Sequence, residues 1–200
     1  TPWTFSGRDY NVIEPTDSTV DFDTIESYLQ GLHYTDNATQ KFINQLNKLK
    51  RPVTLVWYGD HWPGIFSFVN TSTNALSAHS TPYFIWQNEA AKKANGTVDV
   101  SEKYADPSDF TAMMLKMNNM KVDSYWALKT KLLETVPVIN NYKRNDNGKL
   151  SFIDKNGKTI DEKTLTTDQQ QLIQDFKLVQ YDITTGKNYL LKTKFFQKVK

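Results

Sequence analysis

The sequence predicts an α/β fold with a central strand in a parallel sheet, flanking helices and a small antiparallel sheet near the C-terminus. Three observations predict it. Residues 53–58, Val-Thr-Leu-Val-Trp-Tyr, are β-branched and aromatic with apolar side chains on both faces, as in a strand covered on both sides. The preceding stretch repeats apolar residues every three or four positions, and turn signals cluster after residue 144.

In chain order, residues 1–21 carry two prolines, a glycine and aromatics without period, and read as a loop. From Asp23 to Lys50, Ile25, Tyr28, Leu29, Leu32, Thr35, Ala38, Phe42, Leu46 and Leu49 form one helical stripe, with Asp23 and Glu26 spaced as an N-terminal capping pair. His33 and Asp36 lie off that stripe and read as solvated or locally hydrogen-bonded. Pro52 stops the helix and launches the strand.

The apolar run of the strand ends at Gly59, and Asp60 and His61 follow at once. Ligands of open α/β sheets bind beyond the carboxyl ends of the strands. A carboxylate and a neutral imidazole side by side suit a divalent metal such as Mn²⁺, Mg²⁺ or Zn²⁺, although two ligands do not complete a site. The bland reading is a polar strand exit in which Asp60 caps the next segment. Trp62 stands beside the pair, either as packing or as one wall of a substrate cleft, and Pro63-Gly64 forces a turn. Residues 67–80 are rich in Ser, Thr and Asn and read as a surface loop. His79 closes that loop before an apolar strand at 83–86, and is a second candidate for substrate contact.

Asn95-Gly96 marks a turn. Pro107-Ser108 opens a helix with Ser108 as N-cap and Phe110, Met113, Met114 and Met117 on its apolar face. A further helix covers about 124–134 and ends at Pro137. Asn145–Gly148 and Asp154–Gly157 are turns between short strands at 149–153 and 158–160. The first lacks the ligands a calcium loop needs at its first and twelfth positions. Residues 164–174 read as a short helix, and 176–183 with 188–191 as a terminal hairpin. No internal repeat appears; residues 1–143 form an α/β part and 144–200 a small antiparallel β region of one compact domain.

Composition excludes several classes. Twenty-four basic and 22 acidic side chains in 200 residues give a net charge of +2, so bulk electrostatics give no reason to expect a nucleic-acid partner. Cysteine is absent, which removes disulfides, thiolate metal sites and thiol nucleophiles. No run approaches the ~20 apolar residues of a membrane span. The lysines Lys187, Lys192, Lys194, Lys198 and Lys200 crowd the C-terminus and read as a solvated tail, a pattern an anionic membrane or wall polymer also favours.

The helix ending Leu46-Asn47-Lys48-Leu49-Lys50, then Arg51-Pro52, the strand, Tyr58-Gly59-Asp60-His61 and Thr81-Pro82-Tyr83-Phe84-Ile85-Trp86 together resemble the sulfatase-like phosphoglycerol transferases. These are the lipoteichoic acid synthase relatives in the alkaline phosphatase superfamily. The resemblance continues through Pro107–Phe110, Ser124–Leu128, Val136-Pro137 and Gln180-Tyr181-Asp182. It implies the C-terminal portion of an alkaline phosphatase/sulfatase-like fold, with Asp60 and His61 as paired ligands of a divalent metal, Mn²⁺ or Mg²⁺.

It also implies a two-step transfer of glycerol phosphate from phosphatidylglycerol, through a threonine nucleophile, to a lipoteichoic acid polymer or glycolipid acceptor. The implied location is the extracellular face of the membrane of a Gram-positive bacterium, tethered by upstream helices. The family's nucleophilic threonine and acidic ligand lie upstream of every segment matched here, so no catalytic residue is assigned and the chain alone is expected to be inactive. It starts at Thr1, not Met, and reads as a piece of a longer protein; an exposed sheet edge left by a missing neighbour would favour a dimer. A sulfatase or phosphodiesterase hydrolase and a non-catalytic wall-polymer-binding module stay open as other function classes.

Overall fold

The computed structural model describes residues 22–66, 76, 79–136, 138–140, 151–154 and 156–198. The loops read at 1–21 and 67–75 and the turn at Asn145–Gly148 lie outside the described residues. The chain divides into two compact units, residues 1–90 and 91–200.

In the first unit, helix α1 (Phe22–Asn47) realises the long apolar repeat. His33 is tied locally, its Nε2 accepting from the Asn37 side-chain amide at 3.0 Å. Leu32, Phe42 and Leu49 of the stripe are exposed in the described structure. Strands β1 (Thr54–Tyr58) and β2 (Tyr83–Gln87) form a two-stranded antiparallel sheet, with Thr54 opposite Gln87 and Tyr58 opposite Tyr83. The expected α/β class therefore stands, but the parallel pairing of 53–58 is corrected. Its hydrogen-bonded neighbour among the described residues is the next strand in sequence, which returns antiparallel, and Trp57 and Tyr58 are exposed rather than covered. Trp57 stacks on Phe84 across the ladder, with centroids 6.3 Å apart at 19°.

Asn88 closes this unit. It is fully buried. Its backbone N–H donates to Val53 O, and its side-chain oxygen accepts from Val53 N, each at 3.0 Å. Its amide nitrogen donates to the carbonyls of Leu46, Leu49 and Arg51 at 3.0–3.2 Å. Carbonyls at a helix C-terminus lack intrahelical partners; here one side chain takes them up and fixes the point where α1 hands over to β1.

The second unit begins within α2 (Glu89–Asn95), which stops at Gly96 with φ +74. A 3₁₀ turn at Pro107–Asp109 leads into α3 (Phe110–Met117). The 3₁₀ turn is capped by Asp106, whose carboxylate accepts from Ser108 N at 2.8 Å. The expected cap at Ser108 is thus displaced by two residues, because a carboxylate ahead of Pro107 reaches the free amide first. Helix α4 (Ser124–Thr135) is capped by Asp123. Strands β3 (Val138–Asn140), β4 (Ser151–Ile153) and β5 (Thr159–Ile160) form a small antiparallel sheet, of which the turn signals predicted β4 and β5.

Helix α5 (Thr167–Thr184) replaces the expected terminal hairpin. A capping box opens it, Thr166 and Gln169 bonding each other's backbone, and Leu172, Ile173, Phe176 and Val179 recur with helical spacing. That period, not alternation, decides the structure of 176–184. The core joins α4, β4 and α5 through Leu132, Val136, Phe152, Leu165 and Ile173.

Candidate metal centre

The hairpin β1–β2 continues past its last paired residues. Gly59 N donates to Pro82 O at 3.2 Å, and the Thr81 hydroxyl donates to Gly59 O at 2.7 Å. Asp60 and His61 follow and project into solvent, with side chains 85% and 77% exposed. The carboxyl end of β1 is thus where the two polar residues sit, adjacent and open.

Their orientation is set locally. Asp60 Oδ1 accepts from His61 N at 2.9 Å, which leaves Oδ2 turned toward the imidazole, 3.5 Å from His61 Nε2. His61 Nδ1 lies 2.7 Å from Trp62 O. A carbonyl only accepts, so Nδ1 donates to it, and Nε2 is the ring nitrogen on the Asp60 side. Metal-ligating histidines commonly donate their other ring N–H to a backbone carbonyl in this way.

The donor set fits a divalent cation. Two ligand atoms each ~2.1 Å from one ion, at an angle near ~110°, stand ~3.4 Å apart, close to the separation of Asp60 Oδ2 and His61 Nε2. A carboxylate oxygen and an imidazole nitrogen accept Mn²⁺, Mg²⁺ or Zn²⁺. No group of three or more His, Cys, Asp or Glu side chains converges among the described residues, so Asp60 and His61 stand there as a pair of donors among those residues.

Trp62 is half-buried, and its indole N–H donates to Ser80 O at 3.1 Å. His79 is exposed one residue before that acceptor, its backbone N–H bonded to Leu76 O at 3.3 Å. The turn entering β2 is therefore anchored to the residue that follows Asp60-His61. Sequence reasoning missed Thr81 and Asn88. The readable signal for the first was a glycine at the strand exit, which marks close approach of another segment.

The sulfatase family model matches residues 6–120. The capsular polysaccharide biosynthesis protein RkpI of Rhizobium meliloti (strain 1021) is 35% identical over 100 residues, 50% of this chain and 18% of that protein. The lipoteichoic acid synthase of Staphylococcus saprophyticus is 30% identical over 157 residues, covering 70% of this chain and 23% of the synthase. Among solved structures, Streptococcus pyogenes phosphoglycerol transferase GacH in complex with sn-glycerol-1-phosphate matches with a TM-score of 0.65 at 29% identity, over 88% of this chain and 39% of that one. The chain therefore spans less than half the length of each of these proteins.

Proposed function

The chain belongs to the sulfatase family, and from that premise we propose that it supplies part of the metal site of a membrane-tethered phosphoglycerol transferase. Its substrate is phosphatidylglycerol, its acceptor a lipoteichoic-acid-type polymer or glycolipid, and its location the extracellular face of a Gram-positive cell membrane. The observation that carries this reading is the 3.5 Å approach of Asp60 Oδ2 to His61 Nε2 at the open end of β1. The similarity to a lipoteichoic acid synthase and to GacH favours transfer over hydrolysis. The similarity to a capsular polysaccharide biosynthesis protein favours a glycan acceptor as the second reading.

Bound Mn²⁺ or Mg²⁺ would lower the pKa of an attacking hydroxyl and neutralise charge developing on the phosphoryl oxygens. This chain's residues act around that chemistry. Asp60 contributes one anionic oxygen and His61 one neutral nitrogen, while the Trp62 carbonyl keeps the imidazole proton on Nδ1. Trp62 and His79 border the site and contact substrate. The nucleophilic threonine and the remaining acidic ligand come from the portion of the relatives that this chain does not span, so residues 1–200 alone are inactive.

The test is diacylglycerol release from phosphatidylglycerol by the full-length protein. Asp60→Ala or His61→Ala should lower the rate by orders of magnitude. Wild-type rates in both variants, or cleavage of a sulfate ester in place of phosphatidylglycerol, would reject the transferase reading.

A further inference from the structure

We propose that Thr81, with Trp62, is a positioning residue for the metal ligands: a clamp between the turn entering β2 and the strand exit of β1 that holds Asp60 and His61 in register. The inference rests on the metal-ligand reading of that pair. Asp60 and His61 are highly exposed. What flanks them is fixed on both sides. On the N-terminal side, Gly59 is held through both of its backbone groups, its N–H by Pro82 O and its carbonyl by the Thr81 hydroxyl. On the C-terminal side, the Trp62 indole is held by Ser80 O. Three consecutive residues, Ser80, Thr81 and Pro82, thereby grip both ends of the four-residue segment Gly59–Trp62.

Each contact acts on a ligand. The Gly59 carbonyl belongs to the peptide unit that joins Asp60, so the Thr81 hydroxyl sets the plane from which the carboxylate departs. The Trp62 carbonyl receives the His61 Nδ1 proton at 2.7 Å, so the indole anchor fixes the acceptor that selects the histidine tautomer. Groups that orient metal ligands without touching the ion typically alter its affinity about 10- to 100-fold. The Thr81 methyl lies against Gly59, where an added Cβ would meet Thr81 Cγ2 at 3.2 Å. The two functions of Thr81, hydroxyl and packing, can therefore be separated by substitution.

The probe is Mn²⁺, titrated calorimetrically into the full-length protein, with the melting temperature of the metal-free form measured alongside. Thr81→Val keeps the shape and removes the hydroxyl; it should weaken Mn²⁺ binding about tenfold or more, and Thr81→Ser, which restores the donor, should recover most of the loss. Trp62→Phe, lacking the indole N–H, should weaken binding in the same direction, and decides the matter if Thr81→Val does not fold. A purely structural role would lower the melting temperature of Thr81→Val and Trp62→Phe while leaving Mn²⁺ affinity at the wild-type value. That result, with Asp60→Ala abolishing binding, overturns the clamp and spares the metal site. Wild-type Mn²⁺ affinity in Asp60→Ala and His61→Ala removes the metal site and the clamp with it.

Discussion

Gly59 and Thr81 approach each other at the end of the β1–β2 hairpin so closely that a Cβ on the glycine would lie 2.9 Å from the Thr81 Cβ. The threonine hydroxyl meanwhile donates to the glycine carbonyl at 2.7 Å. The glycine is required by this approach and not by its backbone angles, since the positive-φ glycines described are Gly96 and Gly157. Gly59→Ala should push Thr81 outward, break that hydrogen bond and cost about 1–3 kcal/mol, as overpacking does elsewhere. Urea denaturation measures the loss, and an unchanged midpoint would show that the turn gives way freely.

Asn88 makes a second prediction. Removing its amide takes one partner from the carbonyls of Leu46, Leu49 and Arg51 and the side-chain acceptor from the Val53 N–H. Buried groups left unsatisfied cost about 1–3 kcal/mol each. Leu46 O keeps the Leu49 N–H and Leu49 and Arg51 are exposed, so the Val53 N–H bears most of the loss and Asn88→Ala should destabilise the protein by about 1–3 kcal/mol. Asn88→Asp should be worse, because it turns a carboxylate oxygen toward three carbonyls. Denaturation midpoints in the order wild type, Ala, Asp are expected; Asp equal to wild type would contradict the assignment.

These two residues mark where sequence reading stopped. The helix over 23–50, the strand over 53–58, the polar exit at Asp60-His61 and the antiparallel strands at 149–153 and 158–160 were legible, because periodicity and turn chemistry are local. The sense of β-pairing was not. An apolar five-residue run fits a covered parallel strand or one side of a hairpin equally well, and long-range pairing decides. The helical period of Leu172, Ile173, Phe176, Val179 and Ile183 was present but was obscured by β-branched residues and by Thr185-Gly186. Contacts such as Thr81 to Gly59 join residues 22 positions apart and leave only a glycine as their trace.

In the second unit Lys129 is buried, with its ammonium donating to Asp109 Oδ1 and, at 3.2 Å, to Ser108 Oγ, and lying 4.9 Å from the Phe176 ring centre. The two ways of breaking this pair are unequal. Asp109→Ala leaves a buried charge without its counterion and should cost about 3–5 kcal/mol. Lys129→Met leaves a carboxylate that is better able to reach water and keeps the apolar packing on Phe176, so it should cost less. Thermal unfolding of the two variants gives the order directly, and equal losses would refute it.

Asp154 provides the acid signature. The backbone N–H of Lys158 is the largest influence holding its carboxyl below the ordinary 3.8; partial desolvation opposes this, and the Asn156 N–H adds to it. A depressed folded-state value stabilises the turn above the ordinary value and loses that stabilisation as the pH falls through the lowered one. An NMR titration should find the Asp154 carboxyl still ionised at pH 3.8 in the majority of molecules, and Asp154→Ala should flatten the acid limb of the stability profile between those two values.

The claim that Asp60 and His61 are metal ligands is tested most directly by calorimetric titration of Mn²⁺ into the full-length protein and its Asp60→Ala and His61→Ala variants at neutral pH. The account predicts saturable binding to the wild-type protein, and a loss of at least about tenfold in affinity in each variant, since each substitution deletes one donor from the ion's coordination sphere. Wild-type affinity in both variants would contradict it.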